Sequence, residues 1–597
     1  MKHRGKFWVA VALILCLVSS LGASLFQTNF GKIEYHDMTF VTASGHELDA
    51  LLLVPEGATP DAKAPAIVVS HGWYNNREMQ DLNYVEYARR GYVVLAISMY
   101  GHGDSEVLAS NTWWNDENNA NGLYDGVLYL ASLPFVDETR IGVTGHSNGA
   151  LACREAVLQD DKGLIAAALL VSNDAVYTDE EGAYYNMFGS RDAAIVACQY
   201  DEFFHRVDGN PPRAYLSQPT AQSFLHFGAD PAGLEAREAD VFYTQDVFGE
   251  NAIRAIYNPA ITHPWAHFSA SVVSFSVDFF DKALGAPTAL ASHNQIWQWK
   301  AAFNALGVVG FFLFAVNFAL VLLDTEYFRE LKAEAEVLPW PAPEGKARKQ
   351  YWRSNFISAG LSIVLYLLAF VIGYMVWQSE FWSQGASRII GLWSVLCGLV
   401  IWLSLRRANK LNPVDKVERG IKIGKRKMAK TVLLAVAVVC AAFALVFVSD
   451  WLFLTDYRLW CFATIRAFSA DNIPMILRFV PFWLVYYIIT SIAGNCYNYT
   501  DMGKKPWHAV AWQMFFLFLG PQIMIMVQYI KFFITGYMVL DPITGIMGIW
   551  LFPIVLILPL SALISHILYK KTKNPYIGGI IMGIIACILS VTNTLTG

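Results

Sequence analysis

Charge is the scarcest commodity in this sequence. Asp, Glu, Lys and Arg make up 16% of 597 residues, while 55% are hydrophobic. Soluble globular chains carry about a quarter charged residues, so a wholly soluble protein is excluded. The formal net charge of −5 says little, because the charges are sorted by place. Cysteine is sparse as well. The eight residues fall in no CxxC or Cys/His spacing, which argues against a zinc site and a disulfide scaffold. Cys16, Cys397, Cys440 and Cys587 lie in apolar runs, and Cys153 and Cys198 in what read as a core helix and a core strand, so buried free thiols are expected.

The shortage of charge is uneven. Residues 32–290 mix apolar, acidic and small residues as a globular domain does, whereas from residue 297 onward apolar blocks near 20 residues alternate with short polar segments. At 1.5 Å rise per residue, about 20 apolar residues cross the hydrocarbon core. Eight spans are expected, at about 299–323, 354–377, 389–405, 431–455, 473–494, 509–530, 546–568 and 576–595. A further apolar run, Phe7 to Phe26, follows Lys2, Arg4 and Lys6. It reads as a signal anchor, with a cleavable signal peptide (Ala23-Ser24) as the alternative. The expected division is therefore 1–31 as anchor, 32–290 as a globular domain and 291–597 as an all-α multi-span domain.

The basic residues orient the chain. Loop 406–430 holds ten Lys/Arg, including Lys425-Arg426-Lys427, and loops 324–353, 495–508 and 569–575 are also basic. The intervening loops hold Arg388, Arg458, Arg466 and Lys531. By the positive-inside rule the N-terminus is cytoplasmic and residues 32–290 lie outside, in a multi-pass protein of the cell membrane. Loop 406–430 reads as a topology determinant first and an anionic-lipid patch second.

Within 32–290, strands and helices alternate. Extended runs at Glu34 to Val41 and His46 to Val54 precede the β-branched run Ala66-Ile67-Val68-Val69. A helix near 80–90, a strand from Tyr92 to Ile97 and a helix near 122–132 follow. Arg140 to Thr144, 164–171, 193–199 and 252–257 read as further strands, and 268–284 as a final helix. Such alternation predicts an α/β fold with a mostly parallel sheet covered by helices on both faces.

Gly145-His146-Ser147-Asn148-Gly149 stands between a β-branched strand and the small-residue helix opening Ala150-Leu151-Ala152. Gly-x-Ser-x-Gly alone is expected about 0.2 times by chance in a chain of this length. The strand–turn–helix context makes it informative, because the serine occupies a strained turn that only small flanking residues permit. Together with His71-Gly72-Trp73 and Gly101-His102-Gly103-Asp104-Ser105 in the same order, residues 45–285 resemble the α/β-hydrolase superfamily, in particular its dienelactone-hydrolase-like and prolyl-oligopeptidase-like branch.

The resemblance implies a serine nucleophile, Ser147, followed in sequence by an acid and a histidine. A hydroxyl needs a base to take its proton, and the base needs a partner to fix its tautomer. Asp201, at the end of the strand Ala193 to Tyr200, is the expected acid, with Glu202 and Asp174 as weaker candidates. His263 is the expected base and His267 the alternative. His71, His102 and His146 are expected to be structural. The oxyanion donors are the backbone N–H of Asn148 and, by resemblance, that of Trp73. No cofactor or metal is called for.

Segments 173–192 (with Tyr177, Asp179, Glu180, Glu181, Tyr184 and Tyr185) and 203–250 look inserted at the sheet edge where substrates bind, as a cap or as a surface loop. Asp450 and Arg478 fall inside spans at similar depth, as an ion pair or as two residues reaching a nearby interface. The expected activity is esterase- or peptidase-like: hydrolysis of an ester, thioester or amide of a small-molecule, lipid or peptide substrate. Acyl transfer through the same triad, and a non-enzymatic transporter or sensor, are the rival readings. Membrane lipids are expected partners; nucleic acid is not.

Overall fold

A computed structural model describes residues 2–108, 120–174, 178–179, 181–207, 209–460, 463–503, 505–539 and 542–594. By compactness the chain divides in two. Gly22–Ala301 and Gln528–Gly545 belong to one unit; Met1–Leu21, Ala302–Val527 and Ile546–Thr594 form the other.

The first unit is built on a nine-stranded sheet. Its elements are β1 (Ile33–Val41), β2 (Glu47–Pro55), β3 (Ala64–Ser70), α2 (Asp81–Arg89), β4 (Val93–Ile97), α3 (Leu123–Ser132), β5 (Val136–His146), α4 (Asn148–Gln159), β6 (Ile165–Val171), β7 (Asp192–Val196), α5 (Pro219–Leu225), β8 (Tyr243–Val247), β9 (Glu250–Tyr257) and α6 (Ala270–Leu284). The strand order is β1-β2-β4-β3-β5-β6-β7-β9-β8. β4, β3, β5, β6, β7 and β9 run parallel; β2 pairs antiparallel with β4, and β1 and β8, each antiparallel to its neighbour, form the two edges.

The parallel strands are apolar throughout because both of their faces are covered. Alternate residues feed two cores, as the two-residue period of a strand requires. Val68, Leu95, Val143 and Leu170 pack with α3 and α4 on one face. Ile67, Val69, Val94 and Leu169 pack with α2 and α6 on the other. The edge strand β8 was not expected from the sequence; its partner β9 joins it through Phe248 and Gly249, both at positive φ, as a tight hairpin turn demands.

The second unit is helical: most of α1 (Lys2–Gln27), then α7 (Trp297–Leu322), α8 (Gly345–Phe370), α9 (Gly385–Leu411), α10 (Lys425–Phe453), a two-stranded ribbon of β10 (Tyr457–Leu459) and β11 (Ala463–Ile465), α11 (Asn472–Ile492), α12 (Trp507–Thr535), α13 (Pro542–Thr572) and α14 (Pro575–Thr592). Among the described residues nine helices are long and apolar enough to cross a membrane, as a multi-pass membrane protein requires. α11 and α14 approach closely through small residues: a Cβ on Gly579 would stand 2.9 Å from Ile488 Cα. Arg478 does not pair with Asp450; its guanidinium lies over the Phe381 ring and donates to the Phe381 carbonyl at 3.2 Å. The seven described cysteines are free thiols, and only Cys440 among them is exposed.

Candidate active site

β5 lies at the middle of the sheet, and its last residue is followed at once by Ser147 and then by α4. The turn is sharp. Ser147 takes φ 60° and ψ −118°, a region that side-chain-bearing residues avoid. It is held there by four bonds: its N–H donates to the Val171 carbonyl at 2.8 Å, and its own carbonyl accepts from Ala150 N–H at 3.0 Å, from Leu151 N–H at 3.1 Å and from Asn173 Nδ2 at 2.8 Å. Both flanking glycines are obligatory. A Cβ on Gly145 would lie 2.4 Å from the Gly149 backbone, and one on Gly149 would lie 2.5 Å from the His71 carbonyl oxygen.

Asn148 begins α4, so its N–H has no acceptor within the helix. The loop after β3 packs on the elbow: a Cβ on Gly72 would be 3.2 Å from Ser147 Cβ. The N-terminus of α4 at Asn148 and the backbone of Gly72 thus both lie beside the serine. His71 fixes this loop. Its Nε2 accepts from Met99 N–H at 3.0 Å, which leaves Nδ1 protonated to donate to the Gly72 carbonyl at 2.7 Å. Burial pushes its pKa down to about 4, so it is a neutral brace.

Beyond their regular ends, β7 and β9 stay paired. Ala197, Gln199 and Tyr200 donate to the carbonyls of Tyr257, Pro259 and Ile261, and Tyr200 bridges Thr262. This continuation delivers Asp201 and His263 to the same place. Asp201 Oδ2 meets His263 Nδ1 at 2.9 Å, and Asp201 Oδ1 accepts from Phe203 and Phe204 N–H at 2.9 and 2.8 Å. Both residues are buried. Burial opposes the charge on Asp201, but the His263 and His205 rings and the Phe204 amide outweigh it and hold the carboxyl below the usual aspartate range.

The carboxylate pairs with His263 and not with His267, whose ring is buried 3.9 Å from that of His146. His146 Nε2 donates to the His263 carbonyl at 3.0 Å, so the residue before the serine also anchors the histidine's loop. Among the described residues Ser147 Oγ and His263 Nε2 make no hydrogen bond. Such bonds tighten on substrate binding.

Glu202, a weaker acid candidate, is fully buried and takes a different part. Its Oε2 accepts from the His263 backbone N–H at 2.7 Å and its Oε1 from Tyr529 Oη at 2.7 Å. Burial raises its pKa to about 7. Asp174, the other candidate, pairs with His205: Oδ1 meets Nδ1 at 2.7 Å, and Oδ2 accepts from the His205 backbone N–H at 3.2 Å. Burial works against the charge on His205, but Asp174 and Asp201 outweigh it and raise its pKa. His102 is buried, with Nδ1 3.2 Å from the Tyr100 carbonyl.

Asn173, His205 and Tyr529 escaped the sequence reading. Asn173 and His205 carry no motif, and Tyr529 lies more than 300 residues from its partner. Of the first inserted segment, Tyr177 and Glu180 lie outside the described residues. The second contributes Phe203 and Phe204, whose rings sit 4.9 and 5.7 Å from that of His263. Among the described residues no cluster of three His, Cys, Asp or Glu is arranged to hold a metal.

Residues 44–211 match the family model of X-Pro dipeptidyl-peptidase (S15 family). No curated protein matches the chain. Solved structures similar to it include a hypothetical protein of Pseudomonas aeruginosa (17% identity, 42% of this chain and 94% of that one, TM-score 0.31). An α/β hydrolase of Penicillium sp. sh18 follows at 15% identity (42% and 99%, TM-score 0.28), and an epoxide hydrolase of Vigna radiata at 16% (25% and 44%, TM-score 0.20). The sheet order, the elbow and the S15 match make this chain an α/β-hydrolase-fold enzyme joined to a multi-span helical region.

Proposed function

We propose that the protein is a membrane-embedded serine hydrolase that cleaves an ester, thioester or amide through an acyl-enzyme on Ser147, outside the cytoplasm. The observation that carries this reading is the Asp201–His263 pair at 2.9 Å, held on loops bonded to a strained serine elbow. In the reaction, Ser147 Oγ attacks the substrate carbonyl and its proton passes to His263 Nε2, while Asp201 stabilises the imidazolium. The oxyanion accepts from the N–H groups of Asn148 and Trp73. His263 then protonates the leaving alkoxide, thiolate or amine as the acyl-enzyme forms. A water molecule, deprotonated by His263, releases the acid and restores the serine.

A fluorophosphonate probe is expected to label the full-length protein in detergent and to leave Ser147→Ala unlabelled. Equal labelling of the two would end the serine assignment. The placement outside the cytoplasm rests on the basic loops 324–353, 406–430 and 569–575. An impermeant biotinylating reagent is expected to reach lysines of the hydrolase unit in intact cells and to spare loop 406–430; the reverse pattern would invert the topology.

A further inference from the structure

The helical unit holds a cavity that the hydrolase chemistry does not use. It measures about 130 Å³, is half-open, and is lined wholly by residues of Ala302–Val527 and Ile546–Thr594, from α8, α9, α11 to α14 and the loops beside them. An engineered cavity of about 150 Å³ holds benzene, so a group of ring size fits here. Polar side chains within spans often mark a substrate path. Ser354, Ser358 and Ser362 recur every four residues and turn one stripe of α8 toward this cavity.

Part of the wall is a π-helical turn, Ala493–Asn498, that continues α11; such turns are frequent at functional sites. Three of its carbonyls are each taken by a side chain from another segment. Gly494 accepts from Gln513 Nε2 at 2.6 Å, Asn495 from Trp340 Nε1 at 3.1 Å, and Cys496 from Arg419 Nη1 at 2.6 Å. Arg419 is thereby fixed at the wall, its guanidinium 4.6 Å over the Trp340 ring. Main-chain bonds bridge Trp340 to Thr500, which also lines the cavity. Thr500 is 6% exposed, and its hydroxyl is buried with no hydrogen-bond partner.

These groups select a ligand chemistry. Among the described residues no Asp or Glu lines the cavity, and Arg419 is the one charged side chain that does. A cation would find no counter-charge there, whereas an oxyanion meets a guanidinium whose fork matches phosphate oxygens. The Thr500 hydroxyl adds a donor that nothing in the protein uses. Ser354 and Ser362 already donate to the Tyr351 and Ala359 carbonyls of their own helix, at 3.0 and 2.7 Å. What they still offer is lone pairs, which suit hydroxyl hydrogens brought by a ligand. An oxyanion that also carries hydroxyls satisfies both sets.

We infer that this cavity binds a phosphate ester of a small polyol, free or as the headgroup of a phospholipid, with Arg419 and Thr500 on the phosphate. None of its residues belongs to the Ser147, Asp201 and His263 site, so the inference stands or falls apart from the hydrolase reading.

The test uses the full chain purified in dodecyl maltoside and two labelled ligands, glycerol 3-phosphate and dioleoylphosphatidylglycerol in mixed micelles, with dioleoylphosphatidylcholine for comparison. At least one of the first two is expected to bind saturably and about tenfold or more tighter than phosphatidylcholine, and the one that binds identifies the source. Arg419→Gln is expected to weaken that binding about tenfold or more, as loss of a charge-assisted bond does, and Thr500→Val about fivefold. Where Arg419→Gln does not fold, Thr500→Val decides. Valine keeps the shape of threonine, so a packing role alone predicts unchanged affinity. A ligand contact predicts weaker binding together with a ligand-free melting temperature that is equal or higher. Binding of neither ester, phosphatidylcholine binding as tightly as both, or unchanged affinity in Thr500→Val would overturn the inference.

Discussion

The two units differ in how most of their buried charges and hydroxyls are satisfied, although the spans also hold long-range bonds such as Asn574 Nδ2 to Thr431 Oγ1 at 2.7 Å. In the sheet unit, buried charges reach across the fold: Arg77 pairs with Asp49 and Asp37, Arg90 bonds to Glu86 and to the carbonyls of Ala291 and Asn294, and Asp201 holds His263. In the spans, hydroxyls mostly turn back on their own helix. Ser20, Thr431, Ser449, Thr490 and Thr592 each bond to the carbonyl four residues earlier. A bilayer supplies no water to a stray donor, so local satisfaction is the safe solution there. Long-range polar contacts specify one arrangement, and the sheet unit concentrates them where chemistry needs geometry.

Substitutions should divide along that line. The largest effect is expected for Asp201→Asn, which keeps the shape of the pair but supplies the wrong hydrogen-bonding partner; kcat should fall about 10⁴-fold, read by fluorogenic ester turnover with an unchanged melting temperature. Gly149→Ala should cost more than about 3 kcal/mol or prevent folding, since the new methyl meets two main-chain oxygens at 2.5 and 2.7 Å. Thermal unfolding of purified protein checks this, and a well-folded Gly149→Ala would contradict the elbow geometry.

His71 offers an intermediate effect of known sign. Folded, it protonates only near pH 4; unfolded, near 6.5. The unfolded chain therefore binds the extra proton first, and stability declines as pH falls from about 6.5 to 4, by roughly 3 kcal/mol at most. His71→Gln should flatten that slope in melting temperature against pH. The smallest effect belongs to the spans. Ser449 bonds to Leu445, Ser20 and Tyr457, yet Ser449→Ala should cost only about 1 kcal/mol and leave turnover intact. A loss comparable to that of Gly149→Ala would erase the contrast between the units.

The sequence disclosed most of what depends on local pattern. β-branched runs marked the parallel strands, 20-residue apolar blocks marked the spans, and glycine spacing marked the elbow. β8 was hidden because Tyr243–Val247 is polar on an exposed edge and its turn, Phe-Gly, is not a usual hairpin pair. The sequence favoured His263 over His267; the paired extension of β7 and β9 that brings His263 to Asp201 sits in irregular chain without strand periodicity. Glu202 read only as a weaker acid candidate, because its second partner comes from residue 529. Long-range polar contacts leave no period in a sequence.

That last contact has a consequence in time. Ribosomes complete the β-sheet and its serine turn about 270 residues before they reach Tyr529. Until that tyrosine arrives, Glu202 has only the His263 amide to satisfy it, and the histidine's loop lacks its outer brace. The nascent sheet thus lacks Gln528–Gly545, the late segment that completes its own compact unit. A chain stopped after residue 500 should then fold its sheet but hold the His263 loop less firmly, since the Tyr529 bond to Glu202 is missing.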